Sequence, residues 1–198
     1  MSGEPAWRHT RARCAVVPLP LNLASLPKSA RRQHIRREQR VSARGHHVSY
    51  RRSQTTDQLL CAFQELEFLH VARRSGSDMS RGASSGSWAA VLQQCGSSVA
   101  FIASTTLDGT TPMAAQLCLY RDSRCYSVRP ARHPGLSGLS PGHILLRRLA
   151  ADAASNGFTA LDLGRTVDSP AQIGYKDQYG PRWNFNLTFV LNGSVEQQ

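Results

Sequence analysis

The stretch from Leu136 to Gly180 constrains the fold more than any other part of this 198-residue chain. A glycine-rich loop at 136–142 leads directly into a helical pattern, in which apolar residues recur every three or four positions. These apolar residues are Ile144, Leu145, Leu149, Ala150 and Ala153. Asn156-Gly157 is a natural helix end, and the apolar run at 158–163 indicates a short buried strand. The pattern predicts a crossover helix at 140–155, followed by a strand that pairs in parallel with an earlier one.

The start of this helix is a candidate anion site. Ser140 is a good N-cap residue, and Pro141 fits the first helical position, where a missing N–H costs nothing. A helix N-terminus after a flexible loop presents free backbone N–H groups and the positive end of the helix dipole, which together bind phosphate or carboxylate. Taken alone, the loop favours the structural alternative, a simple cap of a surface helix.

Charged residues follow the next strand. Asp162-Leu163-Gly164-Arg165 ends it, and a polar turn leads to Tyr175-Lys176. Side chains just beyond the carboxyl end of a strand lie where open α/β sheets bind ligands. Two structural alternatives stay open here. Asp162 and Arg165 can form an ion pair without chemical function, and Lys176 can be a solvated surface lysine.

In this order, Ser140-Pro141-Gly142, Asp162-Leu163-Gly164-Arg165 and Tyr175-Lys176 resemble the motifs of the GNAT acyltransferase superfamily, in its CelD/BcsL-type branch. They are also similar to those of FemAB-like transferases. The resemblance extends weakly back to about Leu19. It implies an N-acyltransferase that moves an acyl group, most simply acetyl, from acyl-CoA to a small-molecule or glycan amine. A role in cell-envelope or exopolysaccharide biosynthesis and the absence of a metal are further expectations from this resemblance.

The resemblance also implies roles for individual residues. The donor cradle comprises Gly138, Ser140, Pro141, Gly142 and His143. The catalytic set comprises Asp162, Arg165, Tyr175 and Lys176. Within it, Lys176 and Arg165 stabilise developing negative charge or hold phosphate, and Asp162 takes a proton or orients Arg165.

Two departures from the family pattern keep alternatives open. The pyrophosphate loop of the superfamily has the form Gln/Arg-x-x-Gly-x-Gly/Ala; Arg132-His133-Pro134-Gly135 begins it, but Ser137 ends it. The donor can therefore be an aminoacyl-tRNA, as in FemAB-like enzymes. CelD-like proteins are also commonly double-length, and this chain resembles their C-terminal half. A truncated domain that only binds a partner is thus a further alternative.

The positive charge of the chain is concentrated near its beginning. Residues 1–55 hold twelve of the 24 Lys and Arg residues but two of the 13 acids. A basic helix is predicted after Leu26, with Ser29 near its start and Gly45 past its end. The basic segment 28–52 can bind nucleic acid. Alternatively, its arginine stems cover apolar surface of the sheet, and a similar helix in the CelD-like pattern favours that second interpretation.

Residues 1–18 are predicted to be an irregular basic tail, and residues 19–198 a single domain. The tail prediction rests on Pro18 and Pro20, which break the apolar run from Cys14 to Leu26. No run of apolar residues approaches the roughly 18 residues of a membrane span. The five cysteines lack metal-ligand spacing, and their odd number argues against a disulfide framework. We therefore expect a cytoplasmic protein with reduced thiols.

The remaining pattern completes an α+β fold. An edge strand is predicted at 46–50, a core helix at 56–74 with Phe63 on its buried face, a linker at 77–86 and a short helix at 87–94. Strands at 99–103, 113–120 and 124–129 are joined by short turns and should form an antiparallel meander. An alternating strand around 183–189 closes a mixed sheet with flanking helices, which is also the order that the resemblance implies.

Overall fold

The computed structural model of the chain describes residues 7–74, 85–166 and 169–191. Within these ranges the chain forms one mixed sheet of seven strands in the order β2-β3-β4-β5-β6-β1-β7. The strands are β1 (Trp7–Pro18), β2 (Val48–Arg52), β3 (Ala100–Leu107), β4 (Thr111–Arg121), β5 (Arg124–Arg132), β6 (Ala160–Thr166) and β7 (Arg182–Leu191). The helices are α1 (Lys28–Ser42), α2 (Thr56–Arg74), α3 (Ser85–Cys95), α4 (Pro141–Ser155) and α5 (Pro170–Asp177).

The predicted meander and crossover are confirmed. The strands β3, β4 and β5 pair antiparallel in chain order, and β2 adds an antiparallel edge next to β3. The strand β6 pairs in parallel with β5, and α4 is the crossover between them. This is the only connection that a parallel pair allows, because the chain must return to the same end of the sheet before it enters the second strand.

The helices cover the two faces of the sheet differently. Three leucines of α4 (Leu145, Leu146 and Leu149) pack on one face, against Phe101, Ala103 and Ala114 of β3 and β4. The helix α1 lies on that same face, since its Val41 packs with Ile144 of α4. On the opposite face, α2 packs against β3, β4 and β5 through Leu59, Phe63, Leu66 and Leu69. We call these the α4 face and the α2 face. Phe63 and Leu149 are buried as predicted, with 4% and 0% of their surface exposed.

The prediction of an irregular tail at the start of the chain is wrong for residues 7–18. They form β1, which lies between β6 and β7 and pairs antiparallel with both. Cys14, Ala15, Val16 and Val17 are all buried, as expected for a strand inside a sheet. The prolines misled the sequence analysis because Pro18 is the last residue of the strand and Pro20 follows it. Prolines at these positions end a strand rather than prevent it.

The segment before Tyr175-Lys176 is also different from the prediction. It is the helix α5, with Ser169 at the N-cap position and Pro170 in its first turn, where the predicted structure was a polar turn. The predicted linker at 77–86 lies largely outside the described residues. Cys14, Cys118 and Cys125 are buried free thiols, and burial raises the pKa of Cys118 well above its ordinary value. None of the helices in the described ranges is long and apolar enough to cross a membrane.

Candidate active site

The strands β5 and β6 run side by side for only three residue pairs and then separate. Arg124, Cys125 and Tyr126 pair with Ala160, Leu161 and Asp162, and the ladder ends there. Beyond this point a cavity of about 670 Å³ opens between the strands. Its walls are the second half of β5 and the end of β6, and its sides are the first turns of α4 and most of α5. The cavity lies at the carboxyl ends of two parallel strands, where open sheets bind ligands.

A bulge at Gly164 shapes the β6 wall. Cys14 pairs with Arg165 and Val16 pairs with Asp162, so Ala15 of β1 stands opposite both Leu163 and Gly164. Gly164 has a left-handed backbone, with φ at +70°, and a Cβ there would lie 3.2 Å from the carbonyl oxygen of Ser127. An Oδ1 atom of Asp162 accepts the Gly164 N–H at 2.8 Å. Both conformation and space therefore require glycine here.

Lys176 binds the backbone at the end of this wall. Its Nζ donates to the carbonyl oxygens of Leu163 and Gly164 at 2.8 Å each and to that of Arg165 at 3.2 Å. The hydroxyl oxygen of Thr166 lies 2.8 Å from the same nitrogen. Only 8% of the lysine is exposed, and burial lowers its pKa. All three ammonium protons are thus occupied by the end of β6.

The donor loop predicted at 138–143 begins α4 as expected, but its cap is different. Ser140 occupies the N-cap position with a left-handed backbone (φ 56°, ψ 50°), and its side chain makes no capping hydrogen bond. A capping serine needs an extended backbone, which the preceding turn of 3-10 helix at Pro134–Leu139 excludes. Gly142, two residues further on, lines the main cavity.

His143, Tyr175 and Tyr179 form an aromatic cluster next to this helix start. The His143 Nδ1 lies 2.8 Å from the Tyr179 hydroxyl, and the rings of His143 and Tyr175 are 4.3 Å apart. Tyr175 donates its hydroxyl to the carbonyl oxygen of Gly142 at 3.3 Å. Burial lowers the pKa of His143 to about 3 and raises the pKa of Tyr175 to about 12. The imidazole is therefore neutral and the tyrosine protonated at neutral pH.

The charged residues that line the main cavity are all basic. They are Arg73, Arg132, Arg165 and Lys176. No carboxylate lines the cavity in the part of the chain that the structure describes. Arg132 lies close enough to the aromatic cluster for its charge to lower the pKa of both His143 and Tyr175. Because Lys176 is occupied, the three arginines are the cations available to a ligand.

A second, smaller cavity of about 200 Å³ lies between α1 and the donor loop. It is lined by Gln33, Arg36, Arg37, Arg40 and Ser140. Arg40 also donates to the carbonyl oxygen of Gly138 at 3.0 Å, which ties α1 to the loop. The basic helix thus packs beside α4 and places arginines at the predicted donor loop.

The structure distributes the predicted site residues over three places. Gly142, Arg165, Tyr175 and Lys176 line the main cavity, whereas Ser140 lines the smaller one. Asp162 is occupied in the bulge, and no ion pair joins it to Arg165 among the described contacts. Gly138 and Pro141 belong to the loop and the first helical turn, and the ring of His143 packs on tyrosines.

Sequence reasoning missed several members of the site. Arg73 and Tyr179 were not among the predicted site residues. Gln116 lines the cavity, and only 5% of it is exposed. A signal for Gln116 was present, since it is the one polar residue in the apolar stretch from Met113 to Leu119 of β4. Within the described ranges, no group of three or more His, Cys, Asp or Glu residues is arranged to hold a metal ion.

Comparison with known proteins gives a family and a fold. The sequence model of the Acetyltransferase (GNAT) domain matches residues 29–177. No curated protein sequence matches the chain. Among solved structures, L-PGS from Bacillus licheniformis has a TM-score of 0.60 at 15% identity over 96% of this chain and 63% of its own length. FemX has a TM-score of 0.63 at 13% identity over 86% of this chain and 59% of its own.

A conserved protein of unknown function from Bacteroides thetaiotaomicron is similar as well. Its TM-score is 0.66 at 11% identity, and the match covers 93% of this chain and 62% of that protein. At such identities these likenesses concern the fold alone. The chain spans less than two thirds of the length of each of these three structures.

Proposed function

The chain belongs to the GNAT acetyltransferase family and is a transferase, and on this premise we propose that it moves an acyl group from acyl-CoA to an amine. Acetyl-CoA is the simplest donor, and the acceptor is a small molecule or a glycan, in cell-envelope or exopolysaccharide biosynthesis. The observation that carries the proposal is the cavity between β5 and β6, with the N-terminus of α4 at its side.

The donor fits this cavity by its two chemical parts. The phosphates of acyl-CoA require donors of hydrogen bonds and positive charge, which the Gly142 N–H, the positive end of the α4 dipole and the guanidinium of Arg132 supply. The arm that carries the thioester is extended and contains amides. Because β5 and β6 have separated, the backbone edge of β5 that faces the cavity is free to pair with such an arm as strands pair with each other.

The reaction is a direct attack of the amine on the thioester carbonyl. Val128 has no partner in the β4–β5 register and lines the cavity, so we assign its backbone N–H to the oxyanion that develops on the carbonyl. The leaving thiolate takes a proton from the hydroxyl of Tyr175, which its raised pKa keeps protonated. Asp162 does not line the cavity and is bound to the Gly164 N–H, so we assign the proton of the attacking amine to water in the cavity.

Lys176 has a supporting role in this proposal. The sequence predicted that its ammonium contacts a donor phosphate or the oxyanion directly. Such a contact requires the ammonium to leave the carbonyl oxygens that now surround it. We therefore propose that Lys176 holds the end of β6 in place and thereby maintains the width of the cavity.

One observation favours an aminoacyl-tRNA as an alternative donor. The arginines of α1 that line the smaller cavity lie next to Ser140, and Arg40 binds the donor loop. A row of cations beside a phosphate site suits a polyanion longer than the diphosphate of CoA. The basic segment 28–52 would then bind nucleic acid as part of the donor site and not as a separate function.

The length of the chain bears on activity. Since this chain matches only 59–63% of the length of the three similar structures, the rest of those chains can contribute to their sites. A domain that binds a donor without transferring its acyl group is the corresponding alternative for this chain, and the first experiment separates binding from transfer.

The first experiment measures thermal stability with CoA and acetyl-CoA, and release of free CoA thiol in the presence of amines. A donor at 100 times its Kd stabilises the fold by about 2.7 kcal/mol, which raises the melting temperature by roughly 5–10 °C in a chain of this size. Gly142→Asp places an anion at the cavity, and it should abolish this shift while the fold remains. Gly86→Asp, in the first turn of α3 with open space around it, is the matched control.

The outcomes separate the alternatives. A shift with CoA and thiol release on addition of an amine support acyl-CoA transfer. A shift without thiol release supports a non-catalytic domain. If neither CoA nor acetyl-CoA changes the melting temperature, the CoA assignment is wrong. Binding of tRNA that weakens steeply with salt, and that neutralising Arg36 and Arg40 abolishes, then supports the aminoacyl-tRNA donor.

A further inference from the structure

The cavity between β5 and β6 is lined by residues of both faces of the sheet, and we call the two ends of the cavity its mouths. Each mouth contains an arginine. On the α4 face, this cation is Arg132. It follows the last buried residue of β5, and its charge acts on His143 and Tyr175 at the start of α4. This is the mouth that the donor phosphates occupy in the proposed function.

Arg165 lies at the other mouth. Arg165 of β6 lies directly opposite Cys14 of β1 in the antiparallel ladder between these strands. Side chains of directly opposed residues share one face of a sheet. Ala15 and Val17, the neighbours of Cys14 and Val16 along β1, pack with the α4 leucines on the α4 face. Since successive side chains of a strand alternate, Cys14 and Arg165 belong to the α2 face.

Arg73 reaches this second mouth from the end of α2. The helix packs on the α2 face, where Ala115 and Ala131 belong to its core cluster and also line the cavity. Arg73 lines the cavity next to them and is exposed. Among the described ion pairs, none involves Arg73 or Arg165. Two unpaired guanidinium groups therefore flank the opening through which the acceptor must come, and no described carboxylate lines it.

We infer that the acceptor amine carries an anionic group, a carboxylate or a phosphate, and that Arg73 and Arg165 bind it. The inference rests on the proposed acyl transfer and names its acceptor class. An acceptor whose only charge is its ammonium is repelled by two arginines, whereas an anionic group on the same molecule is attracted and oriented by their paired N–H donors. The arginines also disfavour the ammonium form of the amine, and so favour the neutral nucleophile that attacks the thioester.

The donor does not account for these two arginines. Its phosphates are held at the α4 mouth by the helix start and Arg132, and its thioester arm fills the gap between the strands. Arg73 and Arg165 lie beyond the reacting carbonyl, on the far face of the sheet. A guanidinium pair at this place faces the acceptor.

Binding of paired amines to the free enzyme tests the inference without any donor. The pairs are glycine with glycinamide, for the carboxylate, and glucosamine 6-phosphate with glucosamine, for the phosphate. Each is measured by ligand-observed NMR or calorimetry on the full chain. In at least one pair, we expect the member that carries the carboxylate or phosphate to bind 10-fold or more tightly than the member that lacks it, and the pair that shows this preference identifies the anion.

Two variants and one control variant test whether Arg73 and Arg165 cause the preference for the anionic amine. Arg73→Ala and Arg165→Ala should each weaken binding of the anionic amine roughly 10–100-fold, the loss expected for a charge-assisted hydrogen-bonding partner. Their KM for acetyl-CoA should stay unchanged while the KM for the acceptor rises. Arg121→Ala is the control, because Arg121 is 86% exposed next to the β4–β5 turn and lies outside the cavity.

The failures are distinguishable. If neutral and anionic amines bind equally, or if both arginine variants keep the preference, the inference is wrong. If anionic amines bind through Arg73 and Arg165 but no amine releases thiol from acetyl-CoA, the anion site stands and the proposed donor fails. Thiol release with neutral amines alone would support acyl transfer and overturn the anionic acceptor.

Discussion

The two walls of the cavity are built in different ways. The β5 wall remains in the ladder with β4 as far as Arg132 and is packed by α4 on one face and α2 on the other, with an ion pair of 2.7 Å between Arg129 and Glu67. The β6 wall bulges at Gly164, and its carbonyls are bound by the side chain of Lys176. The β6 wall is also paired, with β1, but that ladder is interrupted at the bulge, where Asp162, Gly164 and Lys176 hold the shape of the wall. Single substitutions should therefore deform the β6 wall much more selectively.

Lys176→Met should have the largest effect. It leaves three carbonyl oxygens and the Thr166 hydroxyl without their shared donor, and the free energy of unfolding should fall by about 3–5 kcal/mol. Acyl transfer should fall roughly 10²–10³-fold as the wall loosens. Urea unfolding and thiol release measure the two effects. If the variant instead keeps its stability and loses transfer, the result supports the direct contact between Lys176 and the donor that the sequence predicted.

Leu149→Ala tests the opposite wall. Leu149 is fully buried in the α4 face, and its truncation should cost about 2–5 kcal/mol of unfolding free energy. Because the β4–β5 ladder stays intact, the variant that folds at low temperature should bind acetyl-CoA with nearly the parent's affinity. Denaturant unfolding and calorimetry check this pair of results. A large loss of donor affinity here would mean that the β5 wall is no more robust than the β6 wall.

Gly164→Ala probes the bulge. The left-handed backbone should cost about 1–2 kcal/mol, and the new Cβ meets the Ser127 carbonyl oxygen of the facing wall. Gly109→Ala is a matched control, because Gly109 has a φ of +78° with nothing within 4 Å of the added Cβ. Both variants should lose stability in urea unfolding, and Gly164→Ala should lose more, because only its Cβ meets a backbone oxygen. Only Gly164→Ala should weaken donor binding, and equal donor affinity in the two variants would contradict a role of the bulge in the cavity.

The smallest expected effect concerns pH at the α4 mouth. The unfolded state binds a proton at His143 near its ordinary pKa of 6.5, whereas in the folded state burial lowers the pKa to about 3. Stability is therefore fully present above pH 6.5 and is lost progressively as the pH falls toward 3. His143→Gln should lose less stability than the parent between pH 7 and pH 4.5 in urea unfolding. His34, whose pKa burial also lowers, adds a change of the same sign that the variant retains.

The sequence predicted most of the fold because its local patterns and its topology agree. The spacing of Ile144, Leu145 and Leu149 predicted α4. A helix that crosses over between two strands of one sheet then requires that the next strand, β6, runs parallel to an earlier one. Sequence reasoning failed for β1, because prolines that end a strand cannot be distinguished in sequence from prolines inside a loop. It also failed for α5, whose eight residues contain one glycine and too few apolar positions for a clear helical pattern.

The candidate site was predictable only where its parts are close in sequence. Gly142, Arg165 and Tyr175 were found because each follows a recognisable helix start or strand end. Arg73 was not found, because its proximity to Arg165 depends on how α2 crosses the sheet. The partners of Lys176 are backbone carbonyls, which carry no residue-specific signal. Sequence thus predicted which residues the cavity contains more reliably than what each of them binds.

The position of β1 has a consequence for synthesis of the protein. β1 pairs Trp7 with Leu191, and it also separates β6 from β7 in the sheet. β1 therefore has no pairing partner until β6, far along the chain, has been made. During that time its apolar residues can pair with other chains, and closing so long a loop is slow. We expect chaperones to bind β1 over this interval, and β1 to be enclosed in the sheet only once β7 has joined its other edge.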